Sequence, residues 1–360
     1  MASDMLAVVA LKFTDPSGYQ LSTVPRPAIT DKDHVLIRVH AASINPVDVK
    51  KANGAFKPIV GEAFPYKIGY DAAGTVEATG TDVARLKAGD EVFVRLPETG
   101  RGSWSEYVTC PERFIARKPK TLSFGDAASL PLAGVTALQA LRKYPGSLEG
   151  KTVLVTAGLS GTGAFACQLA KNVFRAGKVI TTVSTAKIPK VPTLLGEGVV
   201  DQIVDYTKED PAKAIPRGSV DFFFDTTGQA MQFLCLMVPR TGQIVSISTM
   251  PSGATVQASE ALRRPDHPRM PLLIRLFLDA ADAVLRLRAW RWGVAYQYIF
   301  LEPNGEDLTT LATYVDDGKL KPIVGARVDF RAIEAVREAC MATFQGKGIV
   351  GKTVIDVIKH

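Results

Sequence analysis

The run TVLVTAGLSGTGAFACQLAKNVF, Thr152 to Phe174, decides the fold. Thr152 to Ala157 is a continuous apolar and β-branched run of buried-strand length. Ala157-Gly158-Leu159-Ser160-Gly161-Thr162-Gly163 is a tight turn of small residues, and AFACQLAKNVF has the composition of a helix. A strand end, a small-residue turn and a helix start together aim free backbone N–H groups and the positive helix end at a pyrophosphate. Larger side chains there would collide with the phosphates, so Ser160, Gly161, Thr162 and Gly163 are candidate cofactor-binding residues. A purely structural turn is the competing reading. The flanking elements favour the dinucleotide, as does a second strand, KVITTV at Lys178 to Val183, ending about twenty residues later.

The residues after that second strand select the dinucleotide. An NAD site places Asp or Glu there to accept from the ribose 2′-hydroxyl. Here the strand runs into VSTAKIPK, with Ser184, Thr185, Lys187 and Lys190 and no carboxylate before Glu197. Hydroxyls and ammonium groups bind a 2′-phosphate that a carboxylate would repel, so NADP(H) is favoured over NAD. The alternative is that these are solvated loop residues.

Outward from this turn the pattern persists. DQIVDY, DFFFDT and GQIVSIS are further short apolar strands, separated by helix-compatible sequence, which predicts a parallel, doubly wound sheet. Upstream, AASLPLAGVTALQALRKY has helical spacing. Before it, VLIRVHAASI, AAGTVEATG, DEVFVRL and WSEYVTC alternate between Gly-, Pro- and Asp-rich turns, as in a small β-barrel or sandwich. After residue 303 a helix (EDLTTLATYVDDGKL), a strand (KPIVGARVDF), a helix over Ala332 to Phe344 and the strand TVIDVI are expected to pack back on the first part.

Composition closes off several classes. The 360 residues are 46% hydrophobic and 22% charged, ordinary globular values without a low-complexity tract. The net charge of +7 suits an anionic ligand and falls short of a nucleic-acid binder with a basic stripe. Cys110, Cys167, Cys235 and Cys340 are far apart, which argues against disulfides and a cysteine-built zinc site and for a reducing compartment. The N-terminus lacks a basic segment before its apolar run, and Met270 to Trp292 is interrupted by charges. A soluble cytoplasmic protein is expected. His34, His40, His267 and His360 are scattered, and neither a GxSxG nor a Walker motif is present.

The segments ASINPVDVK, FPYKIGYDAAGTVEATG, KAGDEVF, LSFGDAASLPLAGVTALQAL, AGLSGTGAFACQLAK, FFFDTTG, PNGEDL, GKLKPIV and GKTVIDVI, taken in order, resemble the medium-chain dehydrogenase/reductase superfamily. Within it the chain is most similar to the zinc-independent quinone oxidoreductase and enoyl reductase branch. The resemblance implies a GroES-like β-barrel catalytic domain (1–125, completed by 303–360), a Rossmann NADP(H)-binding domain (126–302) and a cleft where they meet. It places Asn45 beside the nicotinamide, Thr136 at its side of the cofactor, and Asp225 and Thr226 at the adenosine side. Phe300 and Leu301 match the segment that holds the carboxamide, Lys187 and Tyr206 lie near the 2′-phosphate, and Gly351 and Lys352 close over the cofactor. Asp48 is read as fixing its local loop. Catalytic zinc in alcohol-dehydrogenase relatives needs a thiolate where this chain has Ile44-Asn45-Pro46 and an imidazole where it has Tyr70, so no zinc is expected.

The sequence departs from the family at three points. Ser160 stands where relatives usually carry glycine. Phe56 lies in the region where some enoyl reductases carry a proton-donating tyrosine. Tyr70 is the candidate substitute, with a packed cleft residue as the alternative and solvent as another proton source. Ala261 to Trp292 exceeds the family's usual link. Its amphipathic helix is read as covering the cleft or a dimer edge with its stripe facing the core, ahead of attachment to an anionic membrane surface. Trp290, Trp292, Tyr296 and Tyr298 are candidate walls of an apolar pocket, with ordinary core packing as the alternative.

The expected activity is NADPH-dependent hydride delivery to an activated C=C of an enone, alkenal or enoyl thioester, free or carrier-bound, or to a quinone. A homodimer is expected from the family. An NADPH-binding crystallin-like or RNA-binding protein with little turnover is the alternative.

Overall fold

The computed structural model describes residues 4–347 and 350–358; His360 lies outside them. Two compact units emerge. The first comprises Met1–Val135, Glu302–Asp317 and Pro322–His360, the second Thr136–Leu301 and Gly318–Lys321.

In the first unit, β1 (Asp4–Ala10) pairs antiparallel with β2 (Gln20–Pro25) and β4 (Tyr66–Lys67). The larger sheet is built on β3 (His34–Ile44), whose alternating sequence buries Val35, Ile37 and Val39. Along one side β3 pairs with β5 (Asp71–Thr79), which leads to β6 (Glu91–Arg95) and β8 (Ile115–Arg117). Its other side takes β7 (Tyr107–Pro111) on residues 34–38 and the chain's last strand, β16 (Lys352–Asp356), on residues 41–44, with β15 (Val324–Asp329) beyond. Val8, Ile37 and Trp104 share one core with Val336 and Cys340 of the helix Ile333–Phe344, so the chain's end does complete its beginning.

The second unit holds six parallel strands: β9 (Thr152–Val155), β10 (Lys178–Val183), β11 (Gln202–Asp205), β12 (Phe222–Asp225), β13 (Gln243–Ser246) and β14 (Ala295–Tyr298). Their order, β11-β10-β9-β12-β13-β14, reverses between β9 and β12, which defines the switch point of a doubly wound Rossmann sheet. All four residues of β12 are buried, as a strand covered on both faces requires. The excursion Gly318–Lys321 is clipped on by Gln168, whose side chain donates to the Lys321 carbonyl (3.0 Å) and accepts from its N–H (2.8 Å).

Four local readings are corrected. AASLPLAGVTALQALRKY is two helices, Phe124–Ala128 and Pro131–Leu141, because Pro131 has no N–H to continue the first and starts the second. The division between units falls after Val135, ten residues later than the expected boundary at 125; the helix Phe124–Ala128 packs on β3, where Phe124 stacks on His40. The helix Gly161–Gln168 passes into a π-helical turn, Leu169–Val173, within the run read as one helix. Finally, the helix Leu272–Trp290 does not turn its broad apolar stripe to the core: Leu273 is 81% exposed, and only Asp282 and Ala289 are fully buried.

Candidate functional site

Two sets of polar groups stand out, one in each unit. In the second, Ser160 caps the helix Gly161–Gln168: its backbone is extended (φ −74°, ψ 166°) and its Oγ accepts from the Gly163 N–H at 3.0 Å. The serine that replaces glycine is therefore a helix cap that keeps its own O–H to donate. The Gly161 and Thr162 amides lie in the first turn, where no intrahelical acceptor exists. The turn has no room for side chains: a Cβ on Gly163 would sit 2.2 Å from the Ala157 carbonyl oxygen, and one on Gly158 2.1 Å from Thr181 Oγ1. These amides open at the switch point, where Thr226 ties β12 to β9. Its N–H donates to Thr156 Oγ1 (2.9 Å) and its hydroxyl to the Thr156 carbonyl (2.7 Å). The glycine cradle and its open amides fit a dinucleotide pyrophosphate.

Ser184, Thr185 and Lys187 follow β10 as expected, with Lys187 half-buried. Burial, with a smaller contribution from the neighbouring Lys190, pushes the Lys187 ammonium below its ordinary value. A carboxylate that sequence reading missed also arrives here. Asp205 closes β11, in register with Val183, and accepts from Thr185 Oγ1 at 2.5 Å and from Thr207 Oγ1 at 2.6 Å. Those hydroxyls hold it below the usual carboxylate range. The Thr185 hydroxyl proton is thus engaged by Asp205, and Asp205 is engaged by threonines. Tyr206 is 56% exposed next to this pair; with Gln229 and Phe233 it lines a depression of about 430 Å³ beyond the strand ends.

Asp225 organises the loop after β12. It is fully buried and accepts from the backbone N–H groups of Thr227, Gly228, Gln229 and Ala230 and from Ser246 Oγ, so neither oxygen faces outward. Thr136 is 5% exposed within the helix Pro131–Leu141. Phe300 and Leu301 follow β14, where Phe300 stacks edge-on against Tyr298 (5.0 Å). The four expected pocket aromatics do not converge: Tyr296 is buried with its hydroxyl 2.6 Å from Thr249 Oγ1, whereas Trp290 is 72% exposed.

In the first unit, Asn45 and Lys352 meet. Lys352 Nζ donates to the Ile44 carbonyl (2.9 Å) and to Asn45 Oδ1, and it lies 3.7 Å from Asp71 Oδ2. Asn45 Nδ2 donates to the same Asp71 oxygen (2.8 Å), which also accepts from Ser43 Oγ (2.9 Å). The other Asp71 oxygen accepts the Leu132 N–H (2.9 Å) at the start of the helix Pro131–Leu141. Burial pushes the Lys352 ammonium down and the Asp71 carboxyl up, and their mutual attraction opposes both shifts. Gly351, with φ +70°, brings its Cα to the Ile323 carbonyl; a Cβ there would be 2.1 Å from that oxygen. The Lys352 ammonium thus acts as a buried counter-ion to Asp71 inside the unit. Asn45 is 1% exposed, with its amide bonded to Asp71 and Lys352.

Tyr70 is packed inside the same unit. Its hydroxyl donates to Glu98 Oε2 (2.7 Å), the Arg95 guanidinium lies 4.5 Å from its ring centre, and the side chain is 1% exposed. Burial and the Glu98 charge push its pKa well above the ordinary tyrosine value, so the hydroxyl is a poor proton donor. It belongs to a network in which Lys51 pairs with Glu98 and lies 3.7 Å from Glu62, and Arg101 bonds both carboxylates.

Residues 31–120 match the alcohol dehydrogenase GroES-like domain, and residues 200–355 the zinc-binding dehydrogenase model. The 2-methylene-furan-3-one reductase of Solanum lycopersicum is 33% identical over 343 residues, 94% of this chain and 75% of the relative. The chain belongs to the medium-chain dehydrogenase/reductase superfamily, in its quinone and enone oxidoreductase branch. A chloroplastic NADPH-dependent alkenal/one oxidoreductase of Arabidopsis thaliana is 32% identical over 86% of this medium-chain reductase and 68% of the relative. The solved quinone oxidoreductase of Coxiella burnetii superposes with a TM-score of 0.78 at 28% identity, covering 99% of this chain and 100% of its own. The zinc that the second family description names does not fit: Ile44, Asn45, Pro46 and Tyr70 offer neither thiolate nor imidazole. Among the described residues, no group of three or more His, Cys, Asp or Glu side chains converges as a metal-ligand set.

Proposed function

We propose that this reductase binds NADPH on its second unit and uses it to reduce an activated C=C, as in an enone, alkenal or enoyl thioester, or a quinone. The carrying observation is the glycine turn at the switch point, followed after β10 by Ser184, Lys187 and Lys190. When bound, the nucleotide supplies a hydride. The chain's own contribution begins with the Gly161 and Thr162 amides, which take the pyrophosphate oxygens. Ser184 and Lys187 take the 2′-phosphate, with Tyr206 beside it, and the loop at Asp225 and Thr226 lines the adenosine side. Asp205, already bonded to Thr185 and Thr207, is not placed to accept from a ribose hydroxyl without breaking those bonds. Phe300 and Leu301 present backbone groups to the carboxamide. Asp71, Asn45 and Lys352 fix the N-terminus of the helix Pro131–Leu141 and thereby the backbone leading to Thr136. Without a zinc ion to polarise an unactivated carbonyl, a substrate whose carbon is already electrophilic suits the site. With Tyr70 committed to Glu98, the final proton comes from solvent. A homodimer and a reducing compartment belong to the same reading.

The test is oxidation of NADPH and NADH by metal-free protein against a quinone, an alkenal, an enone and an enoyl thioester. Turnover with NADPH on one class is the expected result, and preference for NADH would overturn the phosphate reading. Lys187→Ala should lower kcat/KM for NADPH by about tenfold or more, the worth of a hydrogen bond to a charged group, and leave NADH unchanged. Equal losses with both nucleotides would place Lys187 outside the phosphate site.

A further inference from the structure

We propose that the outward face of the helix Leu272–Trp290 docks on an anionic lipid surface. The proposal is independent of the reductase reading. Placed at 100° per residue, Ile274, Leu278, Leu285 and Ala289 line the inner side, and Ala289 joins the core beside β14. A second apolar side points away from the protein. Leu272, Leu273, Leu276 and Phe277 on its first turns are 66%, 81%, 55% and 64% exposed, and Val284, Leu287 and Trp290 continue it at 57%, 53% and 72%. With Trp292, this segment holds eight of the twelve large hydrophobic side chains exposed among the described residues. No charged side chain interrupts that outward sector. An apolar patch so concentrated marks a binding surface.

The charges choose the occupant. Residues 272–292 carry four arginines and two aspartates. Arg288 borders one side of the apolar sector and Arg291 follows the helix end; on the other side Asp279 stands nearest the sector, with Arg286 and Arg275 behind it. Arg286 is bonded to the buried Asp282 at 2.6 Å, and Arg275 lies 3.7 Å from Asp279. An apolar sector flanked by Arg288, with Arg291, Trp290 and Trp292 at its end and the two aspartates paired to Arg275 and Arg286, matches a helix lying in the headgroup layer of an anionic leaflet. The nineteen-residue helix is about 28 Å long. It is not apolar enough to cross a bilayer.

The experiment is flotation of the full chain with vesicles of phosphatidylcholine alone or containing about one-third phosphatidylserine. Light scattering reports the oligomeric state of the same samples. The chain should float with the anionic vesicles only. Leu273→Glu/Phe277→Glu, both on exposed positions, should lower the bound fraction more than about tenfold, and Arg288→Gln/Arg291→Gln several-fold, with the circular dichroism spectrum retained. Failure to float on anionic vesicles overturns the proposal, as does equal flotation on both compositions. A dimer that Leu273→Glu/Phe277→Glu dissociates, without vesicle binding by the wild type, assigns the face to a second copy instead.

Discussion

Lys51→Met should lower the unfolding free energy of the first unit by about 3–5 kcal/mol, the usual cost of removing one partner from a buried ion cluster. The Lys51 side chain is 4% exposed, those of Glu62 and Glu98 are 2% and 5%, and Arg101 at 14% is the remaining cation. Burial pushes the Glu98 carboxyl up, but Lys51 and Arg101 outweigh it and hold the group ionised below its ordinary range. With Lys51 gone, two buried carboxylates share one guanidinium, and the Tyr70 hydroxyl loses a partner with a defined position. Denaturant titration followed by the emission of Trp104 checks this, since Trp104 is fully buried in the same unit while Trp290 and Trp292 are exposed. Lys51→Met/Glu98→Gln should lose less than the sum of its single variants, because each removes the charge that the other leaves stranded. Unchanged stability in Lys51→Met would mean that the cluster is hydrated and weak.

The reach of sequence reading has a physical boundary in this chain. The four inner parallel strands were legible because they are buried on both faces and therefore written as short, largely apolar runs. Lys178–Val183 matches its expected limits, and Phe222–Asp225 lies within DFFFDT. The glycine turn was legible because close backbone approach at Gly158 and Gly163 excludes side chains. Asp205 was missed because it reaches Thr185 only through the pairing of β10 with β11, twenty positions further along the chain. Lys51 and Glu98 are forty-seven residues apart, and no periodicity links them. The helix Leu272–Trp290 misled for a different reason. It is apolar on two opposite sides, and a 3.6-residue period cannot say which side the core takes. The site residues divide along the same line. The loop held by Asp225 is largely local, since four of its donors are residues 227–230, whereas Asn45, Tyr70 and Lys352 find partners on segments distant in the chain.

The same unit predicts an inverted pH dependence at Asp48. This carboxyl is fully buried beside Asp71 in the helix Pro46–Ala52; one oxygen accepts the Asn45 N–H at 2.6 Å, and the other has no hydrogen-bond partner. Asp71 has Ser43, Asn45, Leu132 and Lys352 around it. Of two neighbouring buried carboxyls, the proton belongs on the one with fewer donors. Burial and the Asp71 charge push Asp48 up to about 8 from 3.8. A folded-state value above the unfolded one means that the native protein holds a proton the unfolded chain has released. Stability is therefore full below the unfolded value and falls as pH rises towards 8, by at most about 1.4 kcal/mol per unit. Asp48→Asn carries no titrating group, so its stability relative to wild type should improve on the order of a few kcal/mol between about pH 5 and about pH 8. Denaturant titrations of both proteins across that range give the comparison. Parallel profiles would show that Asp48 ionises normally in the fold. A widening gap would place the proton on Asp48 and leave the charge of the pair on Asp71, where Lys352 and the N-terminus of the helix Pro131–Leu141 stabilise it.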